Sequence, residues 1–186
     1  MNNKFNINKE KTIHSILFVL DSLGGKCDFH KIFKILYFAD QKHLALYGTQ
    51  ITGDNYIAMK DGPVPSKTYD MFKSVRGDSW GSRNHDYDDF FEIDSHYFAI
   101  QKRKADFDEL SESEVECLQS SIEENKHLDF NELSDKSHSI AWTNTNRDNE
   151  MNLIDIAVEG GANEEMKKYI LLNLENQAPL REYAIR

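Results

Sequence analysis

The sequence predicts an α+β fold: a mainly helical single domain with a small antiparallel β-sheet or hairpin. Three observations predict it. Apolar residues recur at spacings of three and four along most of the chain. That period gives way to extended patterns in two short places, Ile51 to Lys60 and Phe90 to Ile100. Hydroxyl and carboxylate caps precede the helical stretches, and glycines follow several of them. The 186 residues fit one domain, long enough to bury a core without a metal or a disulfide. The expected division is a frayed N-terminus over 1–10, a domain over 11–175 and a tail over 176–186.

In order, Ile13, Ile16, Leu17, Leu20 and Leu23 make one helical stripe, which Gly24-Gly25 ends. Asp28 is a good N-cap for a second helix. Between Phe29 and Ala39 that helix is apolar over more than half its circumference, so it belongs at the centre of the core. Gly48 stops it. Ile51 to Lys60 reads as extended and is broken by Asp61-Gly62-Pro63-Val64-Pro65, since proline fixes φ and removes a donor. Ser66 is expected to cap a short helix through Val75. Residues 76–89 read as an exposed loop, and Phe90–Ile93 with Tyr97–Ile100 as a hairpin. Ser111 with Glu114, and Asp129 with Glu132, are capping boxes for two further helices. After Trp142 a polar stretch leads to helical pieces over Met151–Val158 and Glu164–Leu174.

The charge of −10 opposes binding to phosphate backbones and suits a basic protein partner. The longest apolar run, Ile16 to Leu20, is too short to span a bilayer, and Met1 to Lys11 lacks the apolar core of a signal peptide. Cytoplasmic location is therefore expected. Cys27 and Cys117 have no partner at metal-ligand spacing. No Gly-x-Ser-x-Gly and no phosphate-cradling glycine loop occurs.

Five arrangements invite a chemical reading. His14 with His30, and His85 with His96 around Asp86 to Asp89, are possible metal or proton-transfer pairs, but their spacing matches no ligand template. Asp54 and Asp61 flank a strand as isolated acids. Cys27 lies near a helix N-terminus, where a thiol pKa can fall, without an assignable base. His138 stands four residues before Trp142, which reads as a buried Trp anchor with a hydrogen-bonded His beside it. A helix-turn-helix would need polar base-reading residues, whereas the second helix offers Lys31, Lys34 and Lys42 over an apolar body. Nothing assembles a set of catalytic roles, so the chain is expected not to be an enzyme, with no cofactor and no metal.

The segment from Phe33 to Phe72 is more distinctive. Leu36-Tyr37-Phe38-Ala39-Asp40 is followed by Thr52-Gly53-Asp54, Tyr56-Ile57-Ala58-Met59-Lys60 and Gly62-Pro63-Val64-Pro65. Leu133 to His138 with Ala141-Trp142 completes the set. Together these resemble the SocA-like Panacea domain family. The resemblance implies a bacterial or phage antitoxin that neutralises a cognate toxin protein by direct contact. It also leaves open an adaptor that delivers the toxin to a protease, a chaperone partner, or a DNA-binding regulator of a phage or toxin–antitoxin operon. Nucleic acid is disfavoured by the charge, and no membrane role is expected. Tyr37, Asp40, Gly53, Asp54, Gly62, Pro63, Pro65, His138 and Trp142 are expected to be scaffold. Tyr56, Lys60 and Asp61 are the expected partner contacts, being polar or amphipathic beside an exposed break.

Overall fold

The computed structural model describes residues 6–78 and 85–183, and of 177–183 the backbone alone. Eight α-helices and five short strands occur among them. The first helix, α1 (Lys9–Ser22), begins inside the stretch expected to fray. Asn8 caps it, its side chain accepting from Lys11 N, and Asn8 N donates to Thr52 O at 3.0 Å. Asn8 is therefore tied down by its own hydrogen bonds.

After β1 (Lys26–Asp28), Asp28 caps α2 (Phe29–Tyr47), its carboxylate taking Lys31 N at 2.9 Å. Gly48 ends α2 at φ +74, the left-handed conformation expected of it. As expected, α2 is the central element. Ile32, Ile35, Leu36 and Tyr37 are at most 1% exposed, each such burial stabilising by roughly 1.5–3 kcal/mol. On one side α2 joins a core with Ile16, Leu20, Phe72, Phe91 and Leu118. On the other, Tyr37, Phe38 and Leu44 pack with Tyr56, Leu133, Ile156 and Ile170.

Of residues 61–65, expected as a break, Gly62–Pro65 form a strand. β2 (Tyr56–Met59) pairs antiparallel with β3 (Gly62–Pro65), Tyr56 opposite Pro65 and Met59 opposite Gly62. Proline is tolerated because the sheet has two strands and β3 is an edge. The other edge of β2 is occupied by the polar stretch after Trp142: Asp148 N donates to Ala58 O, and Met151 N to Tyr56 O. α3 (Ser66–Arg76) follows directly. Its cap is Asp54 and not Ser66: the buried carboxylate accepts from Lys67 N, Thr68 N and Thr68 Oγ1 at 2.7–3.0 Å.

The second hairpin forms as expected, β4 (Phe91–Asp94) with β5 (Phe98–Gln101), turning through Ser95 and His96 at positive φ. β1 adds a third strand to it, Cys27 opposite Ala99, which the short Lys26–Asp28 segment gave no periodic signal for. Part of the 76–89 loop lies outside the described residues; Tyr87, within it, is buried in the core. A 3₁₀ turn (Phe107–Glu109) leads to α4 (Glu112–Asn125) and α5 (Phe130–Ser137). Both capping boxes are present, through Ser111/Glu114 and Asp129/Glu132. α6 (Ile140–Thr143), α7 (Leu153–Glu159) and α8 (Glu164–Tyr183) complete the chain. α8 continues through most of the expected tail.

One buried carboxylate fixes the loop between α2 and β2. Asp40, fully buried, accepts from Ile51 N at 2.7 Å, Thr52 N at 3.0 Å, Thr52 Oγ1 at 2.5 Å and Tyr56 OH at 2.7 Å. Burial pushes its carboxyl above the usual range, while these four donors pull the other way. Asp40→Ala leaves the donors without a partner. We expect it to cost about 3 kcal/mol or more in urea unfolding, against a loss within about 1 kcal/mol for Lys102→Ala, whose amine is exposed.

Candidate functional site

The start of α2, the β2–β3 turn, α3, the start of α5 and the turn residues 147–148 enclose a cavity of about 360 Å³. Its walls are largely apolar: Phe29, Phe33, Met59, Val64, Tyr69 and Phe130. A second cavity of about 300 Å³ shares Phe29, His30 and Phe130 with it and continues to Tyr97 and Leu133. Phe130 stands between the two, half exposed, stacked on His30 with ring centroids 4.0 Å apart. Tyr97 is 66% exposed. Large rings left this open to water are the kind of side chain that anchors protein interfaces.

Two polar groups on α2 shape the first cavity. His30 Nε2 lies 3.2 Å from Asp61 O and 3.1 Å from Ser134 Oγ. Burial, then the charge of Lys34, lower its pKa, which keeps the ring neutral near neutral pH. Lys34 sits one turn further on and is 1% exposed. Its Nζ donates to Pro63 O at 2.9 Å. Burial lowers its pKa from 10.5 to about 7, with Asp61 opposing the shift. Gly62, at φ +98, makes room for it: a Cβ there would press on Ser137 Oγ and lie 2.8 Å from Lys34 Nζ. The glycine of the Gly-Pro-Val-Pro stretch therefore serves both a turn and a buried ammonium.

Lys60 and Asp61, expected contacts, both line this cavity and are exposed. Tyr56, the third, is placed elsewhere. It is 1% exposed, with its hydroxyl on Asp40, so it stands with the scaffold and has no surface to offer. Tyr37 is buried, edge-on to Tyr56 at 5.0 Å. Gly53 meets the N-terminal segment, where a Cβ would strike Asn6 O. Pro63 supplies the carbonyl for Lys34, and Pro65 the residue before α3. His138 and Trp142 do share a face, stacked at 3.9 Å although they lie on different helical segments. Trp142, expected to be buried, is only partly so; its Nε1 donates to Met59 O at 3.0 Å. His138 departs from expectation, since its Nε2 is buried with no hydrogen-bond partner among the described residues.

The other chemical candidates separate. His14 Nδ1 accepts from Asp106 N, far in sequence from the partners of His30. His85 pairs with Asp88 at the surface, and His96 sits in a turn. No group of three metal-ligating side chains occurs among the described residues. Burial pushes the Cys27 thiol up to about 12, the opposite of an activated nucleophile. α2 packs against α1, α4, α5, α7 and α8 and is not free to enter a DNA groove. No helix among the described residues is long and apolar enough to cross a membrane.

Composition and spacing missed Phe130, Tyr97, Arg147, Asp148 and the role of Lys34. For Lys34 a signal existed: Phe33, Ile35, Tyr37 and Phe38 surround it on a helix read as buried on most sides. A lysine there needs an internal acceptor.

A family profile, Antitoxin SocA-like, Panacea domain, matches residues 32–143, more than half of the chain. The chain belongs to this family. No curated protein and no solved structure matches it. The matched Panacea region starts within α2 and ends in α6, so it holds Lys34, Lys60, Asp61, Tyr69 and Phe130, while His30, Arg147 and Asp148 flank it. Membership places the chain in toxin–antitoxin biology.

The lowered pKa of Lys34 makes stability depend on pH with a definite sign. Between about pH 7 and the usual lysine range, the unfolded chain holds a proton that the folded chain has lost. The cost of burying this ammonium is complete below that window and disappears as pH rises through it. Urea unfolding of the wild type and Lys34→Met should show the gap between them shifting in favour of the wild type by about 3 kcal/mol from about pH 7 to about pH 9.5. A gap independent of pH would mean the lysine keeps its ordinary pKa.

Proposed function

We propose that this chain is an antitoxin that acts in the cytoplasm by covering a cognate toxin, and that the paired cavities beside Phe130 form part of the contact surface. Family membership supports the antitoxin reading. The observation that carries the location is the adjoining pair of cavities with half-exposed Phe130 and exposed Tyr97 on their rims. Lys60 and Asp61 stand on the same rim and would contribute polar contacts. A complex of ordinary size buries about 1,600 Å² in total, of which these cavities would be the centre and not the whole.

Binding suits the chemistry better than catalysis does. His30 and Ser134 are within hydrogen-bond reach, but no carboxylate orients the other nitrogen of His30 among the described residues, and Ser134 does not line either cavity. Rigid aromatic anchors beside a small polar set are instead what a protein interface uses.

Co-expression with the product of the neighbouring gene tests the proposal. Rescue of growth and co-purification are expected. Phe130→Asp together with Tyr97→Ser, both at the surface, should weaken the complex about 30-fold or more while leaving the melting temperature nearly unchanged. Absence of both rescue and co-purification would sink the antitoxin reading; full-strength binding by the double variant would move the contact surface elsewhere.

A further inference from the structure

The first cavity gathers three basic and two acidic side chains on a chain of net charge −10. Lys34, Lys60 and Arg147 line it, against Asp61 and Asp148. Arg147 and Asp148 face each other loosely at 3.7 Å, both about two-thirds exposed. Lys60 is exposed and has no carboxylate partner among the described residues. Lys34 is the telling member. An ammonium carries three donors, and this one, 1% exposed, meets a single acceptor, Pro63 O. A buried cation with spare donors beside an apolar hollow is satisfied by an anion that brings its own apolar stem.

We propose that this cavity receives an aspartate or glutamate side chain of the protein partner, its carboxylate held at the wall built by Lys34, Lys60 and Arg147 and its stem packed on Phe33, Tyr69 and Phe130. The occupant rests on the reading that the chain covers a partner protein. The volume, about 360 Å³, suits one side chain or a single-ring acid and not an extended ligand. The adjoining cavity, with Tyr97 and Leu133, gives an apolar neighbour of that acid a place. Specificity follows from the unmet donors: an amide of the same shape offers the cations no charge.

Binding of the acid is coupled to a proton. The charged groups around Lys34 are His30 on its own helix, Asp61 and Lys60 from the β2–β3 turn, and Arg147 with Asp148 from the segment beside β2; α5 presents the hydroxyls of Ser134 and Ser137. Burial lowers the His30 pKa and keeps its ring neutral, so Lys34 is the group that changes charge as pH rises to about 9. An anion binds the charged form, so affinity falls as pH rises.

Phenylacetate is the probe, with phenylacetamide as its neutral match, titrated into the full chain and followed by NMR shifts of the Tyr69, Phe130 and Gly62 signals. Saturation by phenylacetate at least about tenfold tighter than by the amide is expected, weakening about tenfold or more between about pH 6.5 and about pH 9. Lys34→Met should erase the preference. If that variant does not fold, Lys60→Gln with Arg147→Gln, both at the surface, should reduce it about threefold or more. Equal binding of acid and amide, or binding of neither, overturns the proposal. A toxin that co-purifies while phenylacetate is ignored leaves the antitoxin reading standing and removes only the acidic occupant; phenylacetate bound without any toxin does the reverse.

Discussion

A helix buried on nearly all sides can hold a charge only if some other part of the chain comes to meet it, and α2 holds two. Asp40 and Lys34 lie six residues apart within the core. The carboxylate needs donors and finds them in the loop at Ile51 and Thr52 and on Tyr56. The ammonium needs an acceptor and finds Pro63 O on the opposite strand. Both sets of partners lie in the stretch between α2 and α3. Leaving either group without a partner would cost several kcal/mol, so these contacts help hold the β2–β3 hairpin to the helix.

The cavity is a consequence of that attachment. With Asp40 fixing one end of the hairpin and Lys34 the other, the turn at Lys60-Asp61 projects past the start of α2 toward Phe130. Residues 148–151 then close the far side by hydrogen-bonding along β2, which brings Arg147 and Asp148 to the rim. The enclosed surface is mostly ring and methyl, with a few charged groups from three separate segments. Among the described residues it gathers aromatic walls and charged groups suited to the binding role proposed above. Burial raises the pKa of both thiols, Cys27 and Cys117.

Much of the fold was legible because its signals are local. Capping at Asp28, Ser111 and Asp129 depends on residues three apart, and each forms as read. The same holds for the stop at Gly48 and the turn at Ser95-His96. Where reading failed, the deciding partner was distant. Ser66 has the residue type of a cap, but Asp54, twelve positions earlier, takes the helix amides. The Gly-Pro-Val-Pro stretch carries every local mark of a break, yet becomes a strand because β2 needed an antiparallel partner. Tyr56 looked like a contact by its neighbours, and Asp40 drew it inside.

The sequence by itself determined the mainly helical α+β class, the central burial of α2 and the family, because periodicity, caps and ordered motifs are properties of neighbouring residues. Tertiary structure alone decided that Pro63 O is the one acceptor Lys34 meets, and that His30, Lys60, Phe130 and Arg147 share one hollow. Those four positions are separated by up to more than a hundred residues of chain, and no local energy term relates them. Only the packing of helix, hairpin and the returning segment at 147–151 against one another brings them together.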